Sequence, residues 1–300
     1  MVVRSFQLVD DGPTFTPLRF GLLSAAQPVD DADPHWQLGI QMDLDSCGVP
    51  VAVTGGPCSG VGITKTPTVT GAPNMAAEPF SVFAWMNCAP VGQGNDLELL
   101  RAKTETLLTN GEGRAVEKVV WTGQASNGTV RPHLAEDTAE FSDAQGAQVV
   151  RIQTAATVVT TGTAMAITEA IGLVEAELAA CYGGEGVIHV PAGAAILLSN
   201  VGVVQRQGSQ LRTLAGNIVA LYAPGDRHGP TGAEPAAGQG WIYGTGAVVV
   251  RRSPIKNLGQ RPAQFVGRAE NSTVYVVERT YVVAWDCCHV AAQVLIPGAS

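Results

Sequence analysis

Charge is what this sequence has least of. Only 15% of its 300 residues are Asp, Glu, Lys or Arg, where about a quarter is usual for a soluble domain. A monomer with so few charges is poorly protected against association, so the composition points to an assembled protein. Lysine is scarcer still, at four of 18 basic residues (Lys65, Lys103, Lys118 and Lys256). The longest basic run is Arg251-Arg252, and the formal charge is −8. The concentrated positive surface with which nucleic-acid readers displace phosphate counterions is missing. The opening stretch "MVVRSFQLVDDGPTF" has no apolar core of signal-peptide length. Nor does any stretch approach the roughly 20 apolar residues that span a bilayer. The expectation is a chain made in a cytoplasm, without a membrane partner, whose six cysteines (Cys47, Cys58, Cys88, Cys181, Cys287 and Cys288) stay reduced.

Catalytic signatures are absent as well. "GGPCSG" and "GSQLRTLAG" are not followed by the Gly-Lys-Ser/Thr of a phosphate loop, and no His-Glu-x-x-His spacing occurs. The one dense cluster of reactive residues is "VYVVERTYVVAWDCCHV", residues 274–290. Adjacent cysteines on a strand point to opposite faces, and zinc sites prefer Cys-x₂₋₄-Cys pairs, so a metal reading is disfavoured. Strand alternation sets Val283, Trp285, Cys287 and His289 on one face, with Ala284, Asp286, Cys288 and Val290 on the other. A Cys287–His289 nucleophile pair would need a presenting turn and an orienting group, and neither is visible. The expectation is a packed strand in which cysteine acts as a small apolar residue. No metal and no cofactor are expected.

What is there is apolar and turn-rich: 46% hydrophobic residues, with 35 glycines and 18 prolines spread along the chain. Residues 1–34 read as an extended arm, with "DDGPTFTP" and "QPVDDADP" flanking "LRFGLLSA". Residues 35–94 read as two strands, "HWQLGIQMDL" and "EPFSVFAWMNCAPV", joined by a long Gly/Pro/Thr-rich excursion. Residues 95–122 carry a helix capped by Asn95 or Asp96, with Leu97, Leu100, Leu107 and Leu108 at roughly helical spacing and "NGEGR" as an expected break. A second helix spans 163–184, capped by Thr163, with Ile167, Ile171, Val174 and Leu178 on one stripe. "GVIHVP" reads as a short buried strand and "AGAAILLSNVG" as a short helix. "GSQLRTLAGNIVALYAPG" reads as a hairpin. "GWIYGTGAVVVRRSPI" and "STVYVVERTYVVAWDCCHVAAQVLIP" read as two long strands. No internal repeat is visible.

This order of elements resembles tailed-bacteriophage major capsid proteins, whose fold encapsulin shells share. The resemblance rests on Val190-Pro191 ending a strand fed by a helix, on "TLAGNIV" (Thr213–Val219), on Trp241 to Arg252, and on Glu278-Arg279. With "ERTYVV", "DCCH" and "GVIHVP", the whole sequence also resembles virion proteins of actinobacterial phages. The resemblance implies an α+β fold with an N-terminal arm (1–34), an extended loop hairpin (35–94) and a spine helix with the first part of a peripheral domain (95–162). An axial domain (163–240) and the closing strands of the peripheral domain (241–300) follow.

It implies a shell subunit that assembles with itself into hexamers and pentamers of an icosahedral virion head. Double-stranded DNA would be packaged inside without sequence recognition, with room for a scaffold or decoration protein. Its candidate intersubunit contacts are Phe20, Leu22 and Leu23 on the arm, Lys65 in the loop, and Glu278 and Arg279. The last two are either a solvated pair on an edge strand, worth little, or a bidentate reach to a neighbour. The alternative is another virion component (connector or tail) or an encapsulin-like compartment; an enzyme comes third.

Overall fold

A computed structural model describes residues 15–43, 74–88, 96–135, 139–142, 149–153, 155–160, 162–222, 227–232, 234–258, 266–267 and 272–296. Two sheets, each covered by a helix, organise them. The first is built on the 14-residue strand Ser272–Trp285, whose run of Val, Tyr, Thr and Trp suits a pleated surface. It pairs antiparallel with Pro79–Cys88 over Thr273–Val282 and with Val248–Arg252 over Tyr281–Trp285. Short strands at Lys256–Asn257 and Val266–Gly267 also join it, and Val29–Asp30 runs parallel to Arg251–Arg252 at the margin. The second sheet has seven strands, in the order 204–207, 210–213, 218–222, 187–191, 239–245, 289–295 and 157–158. Together these elements make an α+β chain.

Among the described residues four α-helices accompany the sheets: α1 (Leu22–Ala26), α2 (Asp96–Thr122), α3 (Ile167–Cys181) and α4 (Ala195–Asn200). The expected stripe on α3 is real. Ile167, Ile171, Val174 and Leu178 are all buried against the second sheet, each worth about 1.5–3 kcal/mol of burial. The helix starts at Ile167 with Ala166 before it and no side-chain cap, so Thr163 is not its cap. "GVIHVP" is a strand buried at every position, and the 210–222 hairpin forms as expected.

The expected break at "NGEGR" does not occur: α2 runs unbroken for 27 residues. Two helical glycines cost roughly 1 kcal/mol each, yet Leu108 and Val116 on either side are buried and Glu112 between them is held by the first sheet. Tertiary anchoring overrides the local preference.

Three further expectations are corrected. Residues 1–34 are not extended throughout, because they include α1. The strand Pro79–Cys88 does not return on the 35–94 hairpin but joins the first sheet; Ile40–Asp43 pairs instead with Asn74–Ala77. Both long closing strands break in two. Gln239–Thr245 and Val248–Arg252 lie in different sheets, as do Ser272–Trp285 and His289–Leu295. The 241–300 segment is therefore divided between the sheets. A β-carbon on Gly246, at the first break, would sit 2.6 Å from the Cys287 carbonyl oxygen at the second. Only glycine lets the two crossings touch.

Candidate assembly surface

The buried scaffold comes first, because it decides which side chains are left for a partner. Of the arm residues, Leu22 is 0% exposed in the chain's own core, Leu23 packs beside it, and Phe20 packs against the second core. The Leu22 amide donates to Glu117 Oε1 at 3.1 Å on α2, and the Leu221 amide donates to the Phe20 carbonyl at 2.8 Å. A β-carbon on Gly21 would crowd Glu117 Oε1 and push that carboxylate from the Leu22 amide. Phe20, Leu22 and Leu23 thus have intrachain partners, against the expectation that they would wait for a neighbour. Further along, Asp30 takes two hydrogen bonds from Arg252 (2.6 and 3.1 Å), and Asp31 one from Arg251 (2.6 Å).

Glu278 and Arg279 do not form a pair on an edge strand. Their strand is central, with neighbours on both sides. Arg279 turns to α2 and binds Glu112 inside the chain, while Glu278 stays half-buried opposite Phe83 and Lys256. Lys65 lies outside the described residues.

"DCCH" is not a continuous strand either. Asp286–Cys288 is a turn between strands of different sheets, with Cys288 at φ +74°. The expected two-face alternation across 283–290 therefore stops at Trp285. Cys288 is bonded to Cys181 at the end of α3, 107 positions away, and Cys287 is disulfide-bonded too. This overturns the reading of both as plain packing residues. A spacing rule could not find the bond, because cysteine connectivity is not deducible from sequence.

His189 is fully buried between Tyr222 (Nδ1 to Oη, 2.8 Å) and Thr245 (Nε2 to Oγ1, 2.9 Å). Thr245 gives its only hydroxyl proton to the Gly246 carbonyl at 3.0 Å. It must therefore accept from Nε2–H, and Nδ1 accepts from Tyr222. Burial, then the charge of His289, lowers the His189 pKa to about 3. Burial and the charge of Arg131 lower that of His133 to about 4. Burial likewise raises Tyr222 well above the ordinary phenol range. These groups are arranged to remain neutral.

A groove of 580 Å³ lies between strand residues 79–83, α2 residues 115–119 and the 124–130 turn. Lys118 is its one ionisable side chain, and Ser81 meets only the Thr280 hydroxyl, at 3.4 Å. No base stands beside a nucleophile there. Among the described residues no cluster of three or more His, Cys, Asp or Glu could hold a metal ion.

Several large apolar side chains remain exposed. On the strand Pro79–Cys88, Phe80 and Ala84 face the core while Phe83 and Trp85 point outward, 54% and 57% exposed. Leu99 and Leu107 are exposed on α2. At the margin of the second sheet, Ile196 is 67% and Leu214 77% exposed, with Val201 nearby in sequence. Phe83 and Trp85, two large aromatic side chains on one face of one strand, are the pair best suited to an interaction surface. Sequence pattern alone does not single them out. "PFSVFAWMNC" is apolar on both faces of its alternation, and that was the available signal.

No family model matches the sequence, and no curated protein does. Solved structures do match, along nearly their whole length. The capsid of an empty GTA particle aligns with a TM-score of 0.56 and 12% identity, covering 97% of this chain and 95% of that chain. A structure from Mycobacterium phage Adephagia aligns at 0.52 with 13% identity, covering 98% and 94%. The capsid of Ralstonia phage GP4 aligns at 0.50 with 9% identity, covering 100% and 96%. The two helix-covered sheets, joined by paired strand crossings, are the fold of tailed-phage major capsid proteins.

Proposed function

We propose that this chain is the major capsid protein of a tailed phage, a structural subunit that assembles with itself into the icosahedral head of the virion. The carrying observation is reciprocal coverage: the chain and a capsid subunit account for 97% and 95% of one another. Function then resides in shape and interfaces, without a catalytic role. In this reading the second sheet with α3 and α4 forms the axial domain, and the first sheet with α2 the peripheral domain. Hexamers and pentamers of the chain enclose double-stranded DNA, which an acidic protein of net charge −8 holds by confinement. The chain is made in a bacterial cytoplasm and ends in the virion. Exposed Phe83, Trp85, Ile196 and Leu214 are the surfaces a second copy would cover.

Electron microscopy of the full chain expressed alone, and with its neighbouring virion genes, tests the proposal. Closed hollow shells are the expected result. Rings, tubes or a stable monomer under both conditions would overturn it in favour of a connector or tail component, and shells filled with protein would favour a cargo compartment.

A further inference from the structure

The two sheets are joined twice at one place. Gln239–Thr245 passes through Gly246-Ala247 into Val248–Arg252, and Ser272–Trp285 passes through Asp286–Cys288 into His289–Leu295. The crossings hold each other, since the Asp286 amide donates to the Ala247 carbonyl at 2.9 Å. Each crossing is only two or three residues long, so a tie placed here bears on both covalent links between the sheets at once.

Cys181 reaches the same junction from α3. It is the last residue of that helix, and its bond to Cys288 spans a Cα–Cα distance of 6.0 Å. That distance lies within the range in which disulfides form without backbone movement. No side-chain cap closes the C-terminus of α3; Tyr182 and Gly183 only turn their amides back to Leu178. Both cysteines are partly exposed, so a small thiol reagent can reach them. The α3 stripe of Ile167, Ile171, Val174 and Leu178 packs on the second sheet without using the sulfur. What reduction removes is the tie between the helix and the crossing.

We propose that Cys181–Cys288 is a redox lock on the junction between the sheets, open while the chain is in a reducing cytoplasm and closed by a disulfide oxidant once the particle leaves it. The timing rests on the capsid reading above; the pairing does not. In the closing step one cysteine thiolate attacks glutathione disulfide, forming a mixed disulfide and releasing one glutathione thiolate. The second cysteine then attacks the protein sulfur of that mixed disulfide and releases the other. Two protein thiols become one disulfide, glutathione disulfide becomes two glutathione thiols, and the two thiol protons end on glutathione. Cytosolic glutathione and thioredoxin hold such a pair reduced before release.

Cells expressing the full chain are quenched with N-ethylmaleimide before lysis, and a second sample is lysed into glutathione disulfide before alkylation. Peptide mapping by mass spectrometry is run on both, with a Cys287→Ser chain to make assignment to Cys288 unambiguous. The expected result is alkylated Cys181 and Cys288 in the quenched cells and a 181–288 linked peptide after oxidation. The oxidised chain should melt roughly 5–10 °C above its Cys181→Ser variant, because the bond closes a loop of 107 residues. Dithiothreitol should erase that difference. Both cysteines still alkylated after oxidation would overturn the pairing, and a linked peptide already present in quenched cells would overturn the lock. The mapping reads the soluble chain as well as particles, so failure to form shells would strike the capsid reading and leave the pairing measurable.

Discussion

Arg279 Nη1 donates to both carboxylate oxygens of Glu112, at 2.9 and 2.8 Å, across 167 positions of sequence. Tyr281 Oη donates to the same carboxylate at 2.7 Å, and Arg252 Nη1 stands 3.7 Å away. The middle of α2 is thereby fixed to the central strand of the first sheet. The contact falls at the glycine-flanked position where the helix would otherwise be weakest.

Removing one member of a buried charged pair leaves the other without compensation. Arg279→Ala should therefore cost about 3–5 kcal/mol. The double change Arg279→Met with Glu112→Leu should cost less than either single truncation, because no orphaned charge remains. Urea unfolding of the three variants measures this, and an Arg279→Ala cost below about 1 kcal/mol would contradict a structural role for the pair.

The ion pair of Asp30 with Arg252 sits in a different medium. Asp30 is mostly in solvent, and its hydrogen bond from Arg252 holds its pKa below 3.8. A depressed carboxylate contributes stability above its unfolded pKa and loses it as pH falls through the lower folded value. The contribution is therefore present at neutral pH and fades only below about pH 4. Solvent screening keeps it small. Asp30→Ala should cost under about 1 kcal/mol at low salt, and less at 1 M salt. Thermal melts at the two salt concentrations compare them.

His189 should make the chain acid-sensitive well above the carboxylate range. Both ring nitrogens are already used, so an added proton on Nδ1 would face the Tyr222 hydroxyl as a second donor. The unfolded chain takes up that proton near pH 6.5, whereas the folded chain does so near pH 3. Between those values the unfolded state holds more protons, and stability falls as pH falls. One such group costs about 2 kcal/mol between pH 6.5 and 5. Buried His133, lowered to about 4, adds in the same direction. In His189→Gln the loss over this interval should shrink by about one proton's worth, read as the slope of unfolding free energy against pH. An unchanged slope would remove His189 as its source.

Lys65 lies outside the described residues, between the strands Ile40–Asp43 and Asn74–Ala77 in sequence. Mature particles on a reducing denaturing gel should run as a single band near 31.1 kDa. A ladder of higher bands would instead assign Lys65 a covalent role, checked by its loss in Lys65→Arg.

How far all of this was legible in the sequence depended on the range of the interaction. The stripe on α3 and the fully buried "GVIHVP" strand were readable because a period of 3.6 or a short apolar run is local. The arm was misread for the opposite reason. Nothing near Phe20, Leu22 or Leu23 announces Leu221 and Glu117, which are about 200 and 95 residues away. Arg279 was noticed as a charge on a strand, but its partner on α2 was out of reach of any spacing rule. The strand breaks at Gly246 and Asp286 were hidden by β-forming residues on both sides, since a chain that leaves one sheet for another keeps its alternating character.

Assembly supplies the last prediction. Phe83 and Trp85 share the outward face of Pro79–Cys88, while Phe80 and Ala84 on the other face are buried. The strand's backbone is already paired with Ser272–Trp285, so these two aromatic rings are free to act through their faces. Aromatic residues at the centre of an interface carry a disproportionate share of its energy. Burying half of a Trp side chain against a second copy removes on the order of 100 Å² from water, worth about 2–3 kcal/mol per contact. A shell repeats the contact in every subunit, so a modest loss per site is multiplied across the particle. Trp85→Ser should leave circular dichroism and melting temperature nearly unchanged, because more than half of the residue is already in solvent. Yield of closed particles by sedimentation and microscopy should fall at least tenfold at the same chain concentration, a factor that needs only about 1.4 kcal/mol. Phe83→Ser should behave the same way with a smaller effect. Normal particle yield in the Phe83→Ser, Trp85→Ser double variant would show that this face looks onto solvent in the assembled shell.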